Sequence, residues 1–390
     1  MPFMKLLTWI IAFFCVVHTS IHAIEETKKA SPSQTPECKD SKEIQTTCTP
    51  KDQESSLAQE KVTQDKKEKE DQSKKESQDK EKKEKEKKEQ EKKKKEKESE
   101  TPWFIGTFLS QYGENVEPGR VIVSPSLLYW RLYGTYDAHG DLIRDRNNHL
   151  KSLFMFVEGG ITKKVDVTVD TGGTWINAGG RRDVFHLIDT QILLGFQLLT
   201  DKKGTCIPDV RVMIGESFPT GKFDHLDPII RLADVTGIGS YATIFLLIWQ
   251  KIIYTCPKHP YKWNLNLQMN CPSKVRTEGL SLYGGAPGVL GMAVPGYRFI
   301  ANLSYEYKFD KHWGWGIDVH YEHQNRSKFD AKFGTPIFAG LPSSETFSLA
   351  PEVEYDVNED FSISAGCWYT LWGRNNIAFI NGFFELSYQF

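Results

Sequence analysis

Apolar and polar residues alternate along most of the chain from Thr101 to the C-terminus. In the last stretch the apolar side chains fall on every second position, at Phe384, Leu386, Tyr388 and Phe390. Because successive side chains of a β-strand leave opposite faces, this spacing predicts a strand with one apolar face, the other face holding Phe383, Glu385, Ser387 and Gln389. A strand of this kind that ends on an aromatic residue is typical of the closing strand of an outer-membrane barrel. The alternative is an edge strand of a soluble sandwich, whose exposed apolar edge would invite aggregation.

The same alternation recurs in about twelve segments that are separated by turn residues. We predict strands at residues 125–137, 150–158, 163–171, 184–200, 206–217, 240–255, 261–269, 294–309, 312–325, 345–357, 361–372 and 377–390, and a count of ten or fourteen also fits the pattern. Short and long connections alternate, as periplasmic turns and extracellular loops do in membrane barrels. The long ones are 138–149, 172–183, 218–239, 270–293 and 326–344. The sequence therefore predicts an all-β fold, a transmembrane antiparallel up-and-down β-barrel with both termini in the periplasm.

Charged residues are confined to one face of these predicted strands. A basic side chain that faces lipid at the bilayer midplane costs about 2–4 kcal/mol, so we expect the charged face to line the lumen. Among these residues we expect His320, Glu322 and Asp318 to form a satisfied polar network. The mixed signs fit either closed ion-pair networks or a narrow polar path through the barrel. The candidate lumen-lining residues are Arg131, Arg211, Arg298, Glu306, Asp318, His320, Glu322, Glu352, Glu354 and Arg374.

One predicted strand breaks the alternation, because Ile244 to Trp249 is apolar on both faces. In a barrel this predicts an inner wall that is locally apolar. Three contacts would suit such a wall: an inward-folded loop, the segment Trp103–Leu109 acting as a plug, or a hydrophobic substrate.

The N-terminus has the layout of a secretory signal peptide, residues 1–23. Lys5 precedes a mainly apolar run from Leu6 to Val17, and a plausible cleavage site follows Ala23. The run is too short to span a bilayer. An exported chain that has no spanning helix can enter a membrane only as a closed barrel, or else remains soluble in the periplasm. We therefore expect the protein in the outer membrane of a Gram-negative bacterium, in contact with outer-membrane lipid.

Residues 24–100 form a polar spacer that becomes rich in Lys and Glu from residue 61 onward. Pairs of Glu and Lys four residues apart add only about 0.2–0.5 kcal/mol each to a helix. The segment is therefore predicted to be disordered or a fluctuating charged helix, and it lacks the apolar seam of a coiled coil. It would serve either as a periplasmic tether to peptidoglycan or a protein partner, or as a solubilising spacer. The whole-chain net charge of -2 gives no support for nucleic-acid binding.

Motifs for metal, cofactor or catalytic chemistry are missing from the sequence, so we expect no metal, no cofactor and no enzymatic activity. The best hydrolase candidate is the pair His323 and Ser327, but four residues of extended strand separate them by about 13 Å. Cys206 and Cys256 fall at neighbouring predicted turns. Since the periplasm is oxidising, we predict a disulfide between them.

Several segments resemble a known family of bacterial barrels. The run from Glu216 to Pro228, ESFPTGKFDHLDP, is followed by Gly237–Ser240, GIGS. Together with 348–355 and 371–375 these segments resemble the outer-membrane barrels named for the MetA pathway of phenol degradation. The resemblance covers about 121–390 and implies a barrel of about twelve strands that moves hydrophobic or aromatic small molecules. The terminal Phe390 resembles the signal by which the barrel-assembly machinery recognises its clients.

Two classes of function remain open from the sequence. The first is a channel or transporter for a small-molecule substrate. The second is a structural or interaction barrel whose lumen is filled by paired charges and whose spacer binds a partner.

Overall fold

The computed structural model describes residues 104, 106–144, 148–177, 184–227, 234–254 and 259–390. The predicted signal peptide, the charged spacer and Cys256 lie outside these residues. The described chain contains seventeen strands: β1 (Val121–Tyr136), β2 (Leu142–Ile143), β3 (Asn148–Thr162), β4 (Val165–Asn177), β5 (Val184–Leu187), β6 (Thr190–Leu199), β7 (Asp209–Phe218), β8 (Ala242–Ile253), β9 (Tyr261–Pro272), β10 (Val275–Ser281), β11 (Gly284–Val294), β12 (Arg298–Lys308), β13 (Trp313–Gln324), β14 (Lys328–Phe333), β15 (Ser344–Asp356), β16 (Phe361–Arg374) and β17 (Asn376–Gln389).

Twelve of these strands close into an antiparallel up-and-down barrel in the order β1-β3-β4-β6-β7-β8-β9-β12-β13-β15-β16-β17, and β17 pairs with β1 to complete the ring. The fold predicted from the alternation is thereby confirmed, and the predicted strand count of twelve is correct. Within the described ranges no helix is long and apolar enough to cross a membrane.

The outer face of the barrel is apolar, which is the arrangement that a lipid environment favours. Phe384 of β17 is 43% exposed and the following C-terminal Phe390 is 70% exposed, whereas Phe383 on the other face of β17 is only 4% exposed. Phe384 pairs with the exposed Leu127 of β1. An exposed apolar surface of this extent is rare on a soluble monomer. Further exposed apolar side chains continue it on other strands, at Ile192, Leu194, Phe196, Phe245, Leu247, Val353 and Ile380.

The two ends of the barrel differ in their connections. At one end, called the turn end here, the chain enters β1 and leaves β17, and the connections are short, such as 163–164, 309–312 and 357–360. The turn at 309–312 forms because Asp310 accepts hydrogen bonds from the backbone N–H groups of His312 (2.7 Å) and Trp313 (2.8 Å). These two donors hold the pKa of the Asp310 carboxyl below its usual range.

At the opposite end, called the loop end here, three neighbouring connections are long and partly folded. Strands β10, β11 and β14 come from two of them and form a separate three-stranded antiparallel sheet. The connection between β7 and β8 joins this sheet, since Leu226 N donates to Leu280 O at 2.9 Å and the Tyr283 hydroxyl donates to Ile238 O at 2.7 Å. The predicted long loops 270–293 and 326–344 thus contain strands, which pair with each other in one small sheet at the loop end.

Candidate functional site in the barrel lumen

The half of the lumen near the turn end holds a buried ion triad. Arg211 of β7 donates from one guanidinium nitrogen to Glu158 of β3 and Asp166 of β4, each at 2.6 Å, and all three side chains are fully buried. Gly195 makes the room for this triad, because a Cβ there would lie 2.1 Å from Asp166 Oδ1. Alternation in the sequence points Arg211 inward, but the two acidic partners were not among the predicted residues.

A second buried charge network lies at the turn end of the opposite wall. Lys262 Nζ is 2.5 Å from Glu306 Oε1, and Lys308 Nζ contacts Glu354 at 2.6 Å and Asp356 at 2.9 Å. These strands place the groups side by side, since Glu306 is the cross-strand partner of Lys262. The predicted residues Glu306 and Glu354 therefore lie inside the barrel as halves of ion pairs.

Nearer the loop end, the predicted network around His320 takes a different form. Arg298 contacts Glu322 at 2.6 Å, as an inward-facing pair on β12 and β13. His320 is 94% buried, but the nearest carboxylate oxygen, on Glu322, is 3.9 Å from its Nε2. Among the described residues neither ring nitrogen of His320 has a hydrogen-bond partner. The expected network is therefore only partly formed, because His320 lies at ion-pair distance from Glu322 without a hydrogen bond.

Two predicted lumen residues lie on the outer side of the wall. Arg131 of β1 is exposed and alternates with the buried Leu132. Arg374 of β16 instead contacts Glu345 at 3.1 Å, on the face opposite that of Gly373. For Arg374 the cause is a β-bulge in the β15–β16 pairing, which inserts one residue and so shifts the alternation of β16. For Arg131 no bulge is needed, because the even-numbered residues of β1 face inward from Ile122 to Tyr136 and alternation itself places Arg131 outside.

The lumen also holds part of the chain itself, residues 106–119, which we call the lumen segment. Asp318, a predicted lumen residue on β13, anchors its first part. The carboxylate accepts hydrogen bonds from Thr107 Oγ1 (2.7 Å), Leu109 N (3.1 Å) and Ser110 Oγ (3.0 Å). Glu352 of β15 accepts another from Phe108 N at 3.3 Å. Both carboxylates therefore bind the chain rather than a cation.

The second part of the lumen segment follows the inner wall over successive strands. Gln111 N donates to Asn266 Oδ1 of β9 at 2.8 Å, and Gly113 N donates to Gln250 Oε1 of β8 at 3.1 Å. Further on, Val116 N donates to Asp166 Oδ2 of β4 at 3.3 Å. Amide and carboxylate side chains of the wall thus satisfy backbone groups that would otherwise be unpaired inside the barrel.

Two rings of the lumen segment reach the part of the wall that these hydrogen bonds leave out. Phe108 stacks on Phe383 of β17 with ring centroids 4.1 Å apart, and Tyr112 contacts Phe156 of β3 with centroids 6.2 Å apart. The segment therefore contacts the wall on both sides and narrows the lumen at this level. The sequence predicted a plug at Trp103–Leu109, whereas the described contacts extend it through Val116.

Two regions of the inner wall carry apolar side chains, and one of them agrees with the wall predicted at Ile244–Trp249. Almost fully buried residues of β6, β7 and β8 form one cluster, made of Leu193, Met213, Ile244, Leu246 and Ile248. On the other side, the rings of Trp130, Phe379 and Trp368 lie within 4.9–5.4 Å of each other. These rings come from the neighbouring strands β1, β17 and β16, and they remain partly exposed.

The residues considered for hydrolase, disulfide and metal chemistry lie apart from the lumen segment. Nε2 of His323 contacts Asn325 Oδ1 at 3.0 Å, and Ser327 Oγ accepts from Leu341 N at 2.7 Å, so these two side chains serve separate partners. Cys206 is exposed in the turn between β6 and β7. Its predicted disulfide to Cys256 stays a prediction because Cys256 lies outside the described residues. In the described ranges no group of three or more His, Cys, Asp or Glu side chains is placed to hold a metal ion.

Comparison with known proteins identifies the fold. No protein-family model and no curated protein matches the chain. Among solved structures, an outer-membrane channel from Pseudomonas putida F1 is similar, with a TM-score of 0.54 and 10% identity over 73% of this chain and 100% of the channel. The transport unit of the autotransporter AIDA-I from Escherichia coli (10% identity; 76% of this chain and 97% of that one) and the CymD monoaromatic hydrocarbon channel (9%; 70% and 88%) reach TM-scores of 0.42 and 0.34. The likeness to the Pseudomonas putida channel, at a TM-score of 0.54 and 10% identity, establishes a shared barrel fold.

Proposed function

We propose that this protein is an outer-membrane channel for small hydrophobic or aromatic molecules, and that the lumen segment closes it at rest. The observation that carries the proposal is how the segment is held. Its contacts are mainly hydrogen bonds from its backbone and hydroxyl groups to polar side chains of the wall, beginning at Asp318 and ending at Asp166. Bonds to the neutral amide side chains each contribute about 0.5–1.5 kcal/mol net and those to the carboxylates about 1.5–3 kcal/mol, because water replaces the partner when they break.

A segment held in this way can leave its place without exposing a large apolar core. The inner wall also carries two apolar regions, the cluster of Leu193, Met213, Ile244, Leu246 and Ile248 on one side and the tryptophan rings on the other. Apolar walls with a few polar groups suit a small hydrophobic or aromatic solute. The resemblance to the MetA-pathway barrels and the likeness to an outer-membrane channel support the same proposal.

The second candidate is a barrel that conducts nothing and serves as a structural or interaction protein. The buried charge networks favour it, because Arg211 with its two acids and Lys308 with its two acids fill the turn-end half with closed ion pairs. In this case the lumen segment would be a permanent part of the core. The charged spacer would then be the interacting part of the chain.

A disulfide between the lumen segment and the wall separates the two candidates. The Oγ atoms of Ser110 and Ser304 are 3.0 Å apart, so the double variant S110C/S304C is expected to form a bond that fixes the segment in place. In a background without other cysteines, the oxidised variant should be silent in planar bilayers, and it should conduct again after reduction. Uptake of benzoate into proteoliposomes should follow the same pattern.

The matched control is S124C/S387C, which joins β1 to β17 through two serines whose Oγ atoms are also 3.0 Å apart. It cross-links the wall and leaves the segment free, so its conductance should be equal in both redox states. Equal conductance of the oxidised and reduced S110C/S304C variant would exclude the segment as the closing element. Silence of every variant in every state would favour the structural barrel.

A further inference from the structure

We infer that the inner surface formed by Trp130, Phe379, Trp368, His320 and Asn381 is a binding site for a small aromatic molecule that carries a hydroxyl or a similar hydrogen-bonding group. We call this surface the aromatic site. The inference rests on the proposed function, because it names the class of solute for the same lumen.

The first observation is a platform of partly exposed rings that face inward. The ring centroids of Trp130 and Trp368 are 5.4 Å apart, and Phe379 lies 5.3 Å from the first and 4.9 Å from the second. The indole N–H of Trp368 donates to Ser348 Oγ at 2.9 Å, which fixes the orientation of that ring. Aromatic rings favour stacked or edge-on contacts with another ring, so a planar aromatic solute suits this surface.

The second observation is a pair of buried polar side chains that flank the platform without partners of their own. Asn381 is 99% buried, and it is the cross-strand neighbour of both Trp130 and Trp368. Among the described residues, neither its side-chain oxygen nor its nitrogen has a hydrogen-bond partner. His320 meets Trp368 edge-on, with ring centroids 5.7 Å apart, and its ring nitrogens make no hydrogen bond, Nε2 lying 3.9 Å from Glu322.

Unpartnered buried polar groups are costly, and native proteins rarely keep them without a reason. Here two of them lie against one aromatic platform, on either side of Trp368. The residue nearest to His320 on the neighbouring strand, Asn302, adds an unpartnered side-chain oxygen. A solute whose ring stacks on the platform and whose hydroxyl pairs with His320 or Asn381 satisfies both observations at once. A purely apolar solute would satisfy only the first.

The test compares phenol with toluene, which has a similar size and shape but lacks the hydroxyl. Binding to the refolded mature chain is read from the NMR resonance of the Trp368 indole N–H, which is assigned by its absence in Trp368→Phe. Because detergent takes up more toluene than phenol, each affinity is expressed against the free probe concentration, which is measured in the same detergent without protein. We expect phenol to bind about three- to tenfold more tightly than toluene, which corresponds to one hydrogen bond.

His320→Phe and Asn381→Leu should each reduce this preference, and the double variant should abolish it while toluene still binds. His323→Phe is the matched control, since His323 lies on the opposite face of the same strand with partners Asn325 and Glu345. Replacing an unpartnered polar group by an apolar one is not expected to impair folding. Heat-modifiable migration on a gel verifies that each variant is folded.

Equal affinities for phenol and toluene, or a preference that survives in the double variant, would overturn the site. A failure of the proposed function gives a different result. If the native chain binds phenol as expected but shows no conductance or uptake, the aromatic site is supported and the channel function is excluded. If the double variant changes neither uptake nor the preference for phenol, the channel function is supported and the aromatic site is excluded.

Discussion

Replacing Arg211 by methionine is expected to lower the free energy of unfolding by about 3–5 kcal/mol, the usual cost of removing one partner from a buried ion group. The guanidinium is the only cation within 4 Å of the carboxylates of Glu158 and Asp166 among the described residues. Without it, two buried acids face each other in the lumen. Arg211 also donates to Tyr112 O at 3.0 Å, so the lumen segment loses one of its contacts as well.

Urea unfolding of the refolded barrel in detergent measures this effect through the transition midpoint. The matched control is Arg298→Met, because Arg298 also pairs with an acid at 2.6 Å but its side chain is 40% exposed. An ion pair with that exposure contributes only about 0–1 kcal/mol. The triple variant R211M/E158Q/D166N should recover much of the loss, since it removes the unpaired charges. Equal losses for the two arginine variants would contradict the arrangement of charges described for the lumen.

Gly113→Ala is expected to displace the lumen segment from its resting place. A Cβ at this position would lie 2.3 Å from Gln250 Cβ, which is close to the backbone of β8 and cannot move away. Overpacking of this kind costs about 1–3 kcal/mol, which corresponds to roughly a 5- to 150-fold shift toward the displaced state. Conductance in planar bilayers should therefore rise sharply.

A second readout follows the segment directly. In a background without other cysteines, Ser110→Cys should react slowly with a charged maleimide and much faster when Gly113→Ala is added. Gly382→Ala is the control substitution, since its nearest neighbour outside the adjacent residues is a backbone oxygen 4.0 Å away. If Gly113→Ala left both the labelling rate and the conductance at the control level, the segment would not be held at this contact.

Most of the barrel could be predicted because membrane strands obey a simple rule of alternation. The predicted strand at 261–269 corresponds to β9 at Tyr261–Pro272, and the predicted strand at 361–372 corresponds to β16 at Phe361–Arg374. The inward positions of Arg211, Glu306 and Asp318 follow from the same rule. Alternation is a local property, so each strand reveals its own two faces without knowledge of its neighbours.

What could not be predicted depends on contacts between distant parts of the chain. The bulge near Arg374 changes which face that residue occupies, and a single sequence does not mark it. Likewise, the partner of Asp318 is the lumen segment, which is distant in sequence and has no alternation of its own. The missing hydrogen bonds of His320 follow only from the positions of its neighbours, so the sequence could not show that its network with Glu322 is incomplete.

The course of the lumen segment also bears on how the barrel is assembled. The closing pair, β1 with β17, joins the two ends of the described sheet, and bringing distant parts of a chain together costs entropy that grows with their separation. The hydrogen bonds that the segment makes to β4, β8, β9 and β13 involve neither closing strand, so they can form while the sheet is still open. Phe108 then offers its ring to Phe383 of the last strand. The strands of a newly made chain can in this way assemble around the lumen segment, which acts as an internal template for closing the barrel.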